Sequence, residues 1–527
     1  MTQIVIRNII LPFTADQSQV IAEAKKRLRP FLRQSDIESV SVYKRSLDAR
    51  KRDNICYVYT ALAECRSAPD EQKLKKASCD LLCSGDLTVE FGNEEMNGRP
   101  VVIGFGPAGI FAAMLLAEYG YRPLVIERGG NIASRSESVA RFYRDRILDG
   151  ESNIQFGAGG AGAFSDGKLV TRINDPKCRY VLERFFSLGA DRSILTESKP
   201  HVGTDILKKV VANADEYIKK LGGDVLYDTA VTDFVIRNGK VTALKTKNGD
   251  IACSAVIVAT GHSSRDTYKK LFERNFGIIN KPFSVGVRIE HLQSEVDKSL
   301  YGDRAGHPLL PKGEYALSKI VDGRGVYTFC MCPGGEVVAA ASEEGGVVTN
   351  GMSSFARSGK NANAAIAVNV SPDDPMSFQR KLERAAFVAG GKNYNAPMQT
   401  VGDFLNGTRG SEPSRVEPTY MGGNRCTLCD LDDILPEDIS KMLKTGITDF
   451  SRKMSCFASG DAILTGLETR TSAPYRIIRN ETLTSPDADN FYPCGEGAGY
   501  AGGITSAAVD GLACALALMK RYKIPKD

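Results

Sequence analysis

The sequence predicts a mixed α/β and α+β protein with three units: a doubly wound α/β unit, a second unit inserted into it, and a small N-terminal unit. Three observations support this. A glycine-rich segment at 104–109 lies between two short apolar strands, and another at 495–503 follows an apolar strand near the C-terminus. Before both, residues 1–96 alternate strand and helix patterns. A chain of 527 residues has room for roughly three or four domains.

The N-terminal unit has the element order βαββαβ, which is that of a ferredoxin-like fold. The unit extends over residues 1–96, and the polar segment GNEEMNGRP follows its last strand. The predicted strands are 3–11, 37–44, 54–65 and 87–91, and the predicted helices are 16–31 and 70–83.

This unit carries ten basic and three acidic residues between Lys25 and Arg52. Two interpretations stay open: a solvated basic face, or a patch that binds RNA or an acidic partner. Tyr43 and Tyr57 lie in predicted strands and are as suited to the core as to stacking on bases.

The first glycine segment follows a predicted strand at 101–103 and opens a helix near Pro107, and a second strand at 123–126 ends at Glu127. Gly104 allows the tight turn, and Gly106 lets backbone N–H groups approach a pyrophosphate at the helix start. Glu127 is placed to accept hydrogen bonds from an adenosine ribose. The order predicts a Rossmann-like dinucleotide site.

Two later segments identify the dinucleotide as FAD. Ala259, Thr260 and Gly261 end a predicted strand, and Glu496 follows the strand 491–494, where it could bind ribityl hydroxyls. A helix that starts near Gly503 could stabilise a reduced flavin, an effect of about 0.3–1 kcal/mol. The predicted cofactor-binding residues are Gly104, Gly106, Pro107, Ala108, Gly109, Glu127, Arg128, Gly159, Gly160, Ala161, Gly162, Ser165, Ala259, Thr260, Gly261, Gly495, Glu496, Gly502, Gly503 and Ile504.

Between the glycine segments, a helix is predicted at 204–221 and strands at 224–227, 231–236, 241–246 and 251–260. Asn-Gly turns at 238–239 and 248–249 make the last three a meander. From 266 to 450, neither the helical nor the strand period of apolar residues dominates. The FAD-binding domain is therefore assigned to 97–265 and 451–527, and a substrate or cap domain to 266–450.

Several long segments resemble one family. The chain is similar to the uncharacterised FAD-dependent dehydrogenases with an N-terminal ferredoxin-like domain, within the glutathione-reductase-like flavoproteins. The resemblance rests on NIQFGAGGAGAFSDGKL, KPFSVGVRIEH, VYTFCMCPGGEVV, NGMSSFARSGKNANAAI, LETRTSAPYRI and YPCGEGAGYAGGI. It implies an FAD-binding fold, an inserted substrate domain and redox chemistry on a substrate that it does not identify.

One segment, RCTLCDLDDILP, departs from the pattern of that family because Cys426 and Cys429 form a CxxC. Structural thiols, a redox dithiol and a metal site are all compatible with it. A single CxxC has no second ligand pair, and no two of the four histidines are spaced as metal ligands. We predict no metal.

Five residues are candidates for catalysis: His262, Cys330, Cys332, Lys168 and Arg470. His262 follows the Ala-Thr-Gly segment and could move a proton, or it could be structural. The two cysteines project to one strand face and are either buried thiols or a thiol site beside the flavin. Lys168, after a glycine-rich run, could favour negative charge on a flavin or pair at the surface. Arg470 could bind an anionic substrate or order a loop.

Charge and composition limit the classes of function that are compatible with the sequence. The net charge of +5 favours neither nucleic acid nor a membrane surface, and no apolar run reaches membrane-spanning length. The N-terminus lacks a leader pattern, and thirteen scattered cysteines suit reduced thiols, so a cytoplasmic protein is expected. We predict an FAD-dependent oxidoreductase acting on a small molecule, with NAD(P)H as a possible transient reductant. The alternatives are a carbon–carbon double-bond reductase and an FAD-carrying RNA-binding or regulatory protein.

Overall fold

A computed structural model describes residues 2–67, 74–75, 78–82, 87–423 and 425–526. The strands are β1 Thr2–Pro12, β2 Ile37–Asp48, β3 Cys56–Cys65, β4 Cys79–Leu81, β5 Val101–Ile103, β6 Leu124–Ile126, β7 Asp224–Leu226, β8 Val231–Arg237, β9 Lys240–Thr246, β10 Gly249–Ala252, β11 Val256–Val258, β12 Ile278–Asn280, β13 Phe283–Leu292, β14 Ser318–Val321, β15 Arg324–Cys332, β16 Glu336–Ala339, β17 Thr349–Met352, β18 Asn361–Val370, β19 Ala396–Thr400, β20 Cys426–Leu428, β21 Ile463–Glu468, β22 Tyr475–Ile477 and β23 Phe491–Pro493. The α-helices are α1 Gln17–Leu28, α2 Pro107–Glu118, α3 Ile132–Asp145, α4 Lys177–Ser187, α5 Thr204–Lys220, α6 Arg265–Glu273, α7 Gln293–Tyr301, α8 Pro375–Ala389, α9 Val401–Asn406, α10 Glu437–Lys453 and α11 Ile504–Arg521.

The N-terminal unit is a four-stranded antiparallel sheet in the order β2-β3-β1-β4. Helix α1 covers it and begins at a capping box between Asp16 and Gln19. The predicted strand at 87–91 is wrong, because those residues form none. The fourth strand is β4, inside the predicted helix 70–83, half of which falls outside the described residues. Cys79 of β4 pairs with Ile6 and is buried, a long-range contact that local periodicity does not reveal.

A five-stranded parallel sheet, β23-β11-β5-β6-β7, lies at the centre of the doubly wound unit. Its short strands are apolar because both faces are covered. Val102 and Ile257 face a core built with helices α2, α4, α5 and α11, whereas Val101 and Val258 face the meander β10-β9-β8. The predicted strand at 101–103 and the helix at Pro107 are confirmed.

One strand prediction near the cofactor segment is wrong. The expected single strand 251–260 is two strands: β10 closes the meander, and β11 belongs to the parallel sheet. The Ala-Thr-Gly segment therefore follows β11, beside β5, rather than the end of the meander.

The segment from 283 to 468 forms a seven-stranded sheet in the order β14-β15-β18-β13-β21-β19-β20. Strand β21 lies between β13 and β19, so the predicted domain boundary at residue 450 divides this sheet. No alternating pattern was visible because nearly every residue of β13 and β18 is buried. Buried polar residues, such as Arg288 and Asn363, interrupt the apolar run and bond to each other.

Within the described ranges, we find no helix that combines the length and the apolar character needed to cross a membrane.

Candidate functional site

The three predicted cofactor segments converge on one cavity of about 360 Å³. It opens where β5, β6, β11 and β23 end at their carboxyl ends, the usual ligand position in a parallel sheet. Seventeen predicted cofactor residues line it: Gly104, Gly106, Pro107, Ala108, Glu127, Arg128, Gly160, Ala161, Gly162, Ser165, Ala259, Thr260, Gly261, Glu496, Gly502, Gly503 and Ile504. The far wall belongs to the seven-stranded sheet and includes Phe329, Cys330 and Glu468.

Three predicted cofactor residues do not line the cavity: Gly109, Gly159 and Gly495. Each is a glycine for reasons of packing. A Cβ at Gly109 would lie 1.9 Å from the carbonyl oxygen of Gly104, and one at Gly495 would lie 2.8 Å from Cβ of Ala108. Gly109 and Gly495 allow the close approach of helix α2 to the strand and turn around it, and Gly159 packs against Ala163 and Val211.

The cavity has the features that FAD requires. Neither α2 nor α11 has a side-chain cap, so their first-turn N–H groups keep donor capacity for a phosphate or a flavin oxygen. At Gly261, Gly502 and Gly503, a Cβ would meet no atom within 4 Å, so these backbones border open space that a flat ring system could fill.

Glu127 joins the loops around the cavity. Its Oε2 accepts from the backbone N–H of Phe105 at 2.8 Å, and its Oε1 accepts from Gly129 and Gly157 at 3.0 and 2.9 Å. A carboxylate offers about four acceptor sites. One site therefore stays available for the ribose hydroxyl that the sequence predicts as its partner.

Arg135 holds the glycine loop through hydrogen bonds to its backbone. This arginine was not identified as a site residue from the sequence. The side chain is fully buried and donates to four carbonyls, those of Asn153, Ile154, Gly157 and Ala158, at 2.6–3.2 Å. Burial lowers the pKa of Arg135 to about 9, against the opposing charge of Glu127. By holding these carbonyls on one side, Arg135 fixes the loop that borders the cofactor cavity. The only available signal was an arginine in an otherwise amphipathic helix.

Arg128 closes the rim of the cavity. Its guanidinium pairs with Glu151 at 2.8 Å and with both carboxylate oxygens of Asp266, and it lies 4.2 Å from the ring centroid of Phe156. Although burial opposes it, hydrogen bonding to Asp266 and Glu151 raises the pKa of Arg128. The predicted cofactor residue is thus fixed as a flat, cationic surface.

His262 and Glu496 form a proton-holding pair in the cavity. Nε2 of His262 lies 4.0 Å from Oε1 of Glu496. Burial, with the charges of Arg470 and Arg265, lowers the pKa of His262 to about 4, whereas burial raises the pKa of Glu496 to about 7. Near neutral pH the ring is therefore neutral, and the carboxyl holds a proton part of the time.

The orientation of that ring is set by its second nitrogen. Ser263 Oγ donates to Oε1 of Gln155 and lies 3.1 Å from Nδ1 of His262. Because the Ser263 hydroxyl donates its proton to Gln155, it accepts a hydrogen bond from Nδ1–H of His262. Nε2 of His262 is then the acceptor that faces Glu496.

Lys168 lies in a charge cluster at the cavity wall. Its Nζ is 3.0 Å from Asp166 and 3.1 Å from Glu314, and Arg357 also pairs with Asp166. Burial opposes the charge, but the two carboxylates raise the pKa of Lys168. Of the two sequence interpretations, a flavin-directed charge and a surface pair, the geometry shows a partly buried pair that still borders the cavity.

Arg470 shares its carboxylate partner, Glu383, with a second arginine, Arg265. Arg470 and Arg265 each make two hydrogen bonds to Glu383, at 2.7–2.9 Å, and all three side chains are buried. Burial opposes ionisation, but the two arginines lower the pKa of Glu383 to about 2. Glu383 comes from α8, so only the fold brings this partner to the cavity.

Cys330 lies at a β-bulge in the far wall. Phe329 pairs with Ala365 and Cys332 with Asn363, so two residues of β15 oppose one of β18. Cys330 has a φ of 44°, a conformation that costs a non-glycine residue of order 1–3 kcal/mol. Cys330 lines the cavity, whereas Cys332 is fully buried and does not line it. The extra residue of the bulge interrupts the regular alternation on which the predicted common face depends.

Cys426 and Cys429 lie outside the cavity. Burial raises the pKa of both thiols, to about 11 for Cys429. Among the described residues, one metal-type cluster is present: Cys494, Asp510 and Cys514, with ligand atoms within 4.8 Å of one another. Arg479 pairs with Asp510 at 2.7 Å, and its positive charge opposes a cation there.

Comparison with known proteins agrees with this geometry. Residues 98–279 match the family model for pyridine nucleotide-disulphide oxidoreductases, 282–471 match the FAD-dependent protein, C-terminal domain-like model, and 2–64 match a domain of unknown function. The second match contains β21, as the seven-stranded sheet does. The fold is a mixed α/β flavoprotein fold with a Rossmann-like FAD-binding domain, and the chain is an FAD-dependent oxidoreductase.

Similarity over the whole chain defines the family more closely. An uncharacterized protein of Clostridium beijerinckii is 44% identical, with 99% of both chains covered. The chain belongs to this family of FAD-dependent proteins. Protein FixC of Escherichia coli is 27% identical over 39% of this chain and 45% of its own. The crystal structure of glycine oxidase from Bacillus cereus is 12% identical, covers 81% of this chain and 98% of its own, and has a TM-score of 0.34.

Proposed function

We propose that this oxidoreductase binds FAD in the described cavity and transfers a hydride between the flavin and a small molecule bound against the seven-stranded sheet. When bound, FAD supplies the hydride chemistry. One observation carries the proposal: the predicted cofactor segments and the predicted catalytic residues His262, Lys168, Cys330 and Arg470 all line one cavity.

In this proposal, the two walls of the cavity have different roles. The N-termini of α2 and α11, with Glu127, hold the dinucleotide, and Arg128 flanks it. The opposite wall excludes water with Phe329 and presents Cys330 to the substrate.

Proton movement is proposed for Glu496 and His262. Near neutral pH the carboxyl of Glu496 holds a proton part of the time, and Nε2 of His262 at 4.0 Å is the adjacent acceptor. Arg470 is a positioning residue, since its donors are engaged by Glu383 and Ser342. With pKa values of about 4 and about 7, the two neighbouring groups offer a neutral acceptor and a carboxyl that exchanges its proton near neutral pH, which suits acid–base work.

We propose NAD(P)H as the electron donor, which would bind transiently in the same cleft. Among the described residues, the glycine turn after β5 is the one dinucleotide fingerprint, and FAD would occupy it. The measurement is an anaerobic addition of NADH and then NADPH to the purified holoprotein while the visible flavin absorption is recorded. Rapid bleaching is expected. A persistent oxidised band with both donors would refute the nicotinamide donor and point to a substrate-fed dehydrogenase.

The N-terminal unit is proposed to be a ferredoxin-like domain that docks on the rest of the chain. The strand order β2-β3-β1-β4 supports the first part. For the second, Arg45 pairs with Glu197, and Arg52 donates to the carbonyl of Ser299 at 2.6 Å. Two basic residues of the N-terminal unit are therefore engaged by other parts of the same chain. This favours an oxidoreductase over an RNA-binding protein. We also propose a cytoplasmic location.

A further inference from the structure

We propose that Lys281 and Arg476 bind a phosphate group of the nicotinamide donor, beside the loop that carries Glu496. The inference rests on the proposed function, because NADH or NADPH is the electron donor there. It assigns a part of the chain to the recognition of that donor, since the glycine turn after β5 is occupied by FAD in the same proposal.

The two cations lie on one face of a two-stranded antiparallel ribbon. Ile279 of β12 pairs with Arg476 of β22, and the N–H of Lys281 donates to the carbonyl of Pro474 at 2.8 Å, which extends the pairing beyond β12. Residues two apart in a strand project to the same face, so Lys281, Ile279 and Arg476 share one face. Such diagonal neighbours lie about 7–8 Å apart, so two long side chains can reach one phosphate.

The opposite face of the ribbon fixes its orientation. Tyr475 and Ile477 are buried with Val101 and Val258 in the core between the parallel sheet and the meander. Ile279, on the face that carries the cations, is 52% exposed. The cations therefore belong to the outward face.

One loop connects this ribbon to the cofactor cavity. Nε and Nη2 of Arg476 donate to the carbonyl of Gly499 at 3.4 and 3.3 Å, and the N–H of Gly499 donates to the carbonyl of Glu496 at 2.9 Å. Glu496, Gly502 and Gly503 of the same loop line the cavity. A ligand on the ribbon therefore lies next to the loop that borders the flavin site.

Neither cation has a carboxylate partner in the part of the chain that the structure describes. Lys281 is partly buried and forms no ion pair, although lysines are rarely buried unless they are paired. Burial lowers the pKa of Lys281, against the opposing charge of Glu496. The hydrogen bonds of Arg476 use Nε and Nη2, so its Nη1 keeps both N–H donors for a ligand. A bound anion would supply the partner that both side chains lack.

The donors of this site suit a phosphate. A guanidinium presents planar donors to phosphate oxygens, and an ammonium adds a compact point charge. A phosphate monoester carries roughly 1.5–2 negative charges at pH 7, which two cations neutralise. Ile279 and the ring of Tyr500, whose centroid lies 5.3 Å from the Arg476 guanidinium, offer apolar surface to the attached nucleoside.

A nicotinamide donor contains phosphate in two places. The diphosphate is common to NADH and NADPH, whereas the 2′-phosphate occurs in NADPH alone. The monoester matches the two cations in charge, and arginine is the residue that accommodates a 2′-phosphate in other dinucleotide sites. We therefore expect the 2′-phosphate at Lys281 and Arg476, and a preference for NADPH.

The first test measures binding without turnover. Oxidised holoprotein is titrated calorimetrically with adenosine 2′,5′-bisphosphate and with adenosine 5′-diphosphate. Lys281→Gln and Arg476→Gln each remove one charge-assisted contact, so each should weaken binding of the bisphosphate by about 10-fold or more. Weaker binding of the 5′-diphosphate as well would place the diphosphate at the site. Dissociation constants of both variants within about twofold of the wild type for both probes would overturn the proposal, as would a wild type that binds neither probe.

Two variants control for net charge and for structure. Lys269→Gln makes the same change of charge at a side chain that is 74% exposed on α6, and should bind both probes within about twofold of the wild type. Arg476→Lys keeps the charge without the planar donors and should bind the bisphosphate more tightly than Arg476→Gln does. If Arg476→Gln loses flavin because the loop at Gly499 is released, Lys281→Gln decides the result, since its side chain makes no hydrogen bond to that loop.

The second test separates this inference from the proposed function. Flavin bleaching is followed anaerobically at increasing concentrations of NADPH or NADH. In Lys281→Gln, the NADPH concentration that gives half of the maximal rate should rise by about 10-fold or more, and the NADH concentration by less than about twofold. A rise with both donors would identify the diphosphate as the bound group. A wild type that is bleached and a variant that matches it with both donors would refute the phosphate site alone. A wild type that neither donor bleaches would refute the nicotinamide donor of the proposed function, and this inference with it.

Discussion

Replacement of Glu127 by Gln tests how the cofactor loops are held. The carboxylate accepts three backbone N–H bonds, from Phe105, Gly129 and Gly157. A bond to a charged acceptor contributes about 1.5–3 kcal/mol and a neutral one about half as much. Glutamine can keep at best the two bonds at one oxygen, in neutral form, and its NH₂ faces the N–H at the other position. The loss is about 3 kcal/mol or more, and it releases the loops of the apoprotein. Because FAD must then order these loops as it binds, its binding should be weaker by at least about 100-fold.

The assay is quenching of free flavin fluorescence as FAD is added back to the apoprotein. The matched control is Glu151→Gln, which removes only a half-exposed partner of Arg128 and should change the dissociation constant by less than about fivefold. If Glu127→Gln binds FAD within about fivefold of the wild type, the three N–H bonds do not hold the cofactor loops and the reasoning fails.

Three further predictions follow from the buried charges. Arg135→Met removes four hydrogen bonds to carbonyls, so at about 1 kcal/mol each the free energy of unfolding should fall by about 4 kcal/mol in a urea titration, and Arg135→Lys should recover part of it. Glu383→Leu leaves Arg470 buried without a carboxylate partner and Arg265 with Glu343 alone, and should cost about 3–5 kcal/mol by the same titration; a loss below about 1 kcal/mol would contradict this. Because burial raises the pKa of Glu496 from 4.5 to about 7, the folded apoprotein binds a proton that the unfolded chain has released, so stability falls as the pH rises through that window. The melting temperature of the wild type should therefore fall more than that of Glu496→Gln between pH 4.5 and 7, and parallel curves would refute the shift.

Much of the cofactor half of the protein could be predicted from local sequence. The strand at 101–103, the turn at Gly104 and the helix from Pro107 depend on interactions between neighbouring residues, and the structure has them at these positions. The same holds for helix α1, whose capping box is contained in four consecutive residues.

The strands of the substrate half could not be predicted from local sequence in the same way. Strands β13 and β18 are buried on both faces, which removes the alternation that marks a strand, and buried polar residues interrupt the apolar run. The pairing of β21 between β13 and β19 joins residues far apart in the chain, so no local pattern placed the boundary correctly.

The sequence by itself determined which residues can form a dinucleotide site, because glycine turns, helix starts and strand ends follow from local backbone preferences. The tertiary structure alone decided what the charged and sulfur-containing residues do. The bonds of Arg135 to the glycine loop, the position of Glu383 between two arginines, and the bulge at Cys330 in the cavity wall all depend on partners distant in the chain. Hydrogen bonding and burial set the charge and reactivity of such groups, and both exist only after the chain has folded.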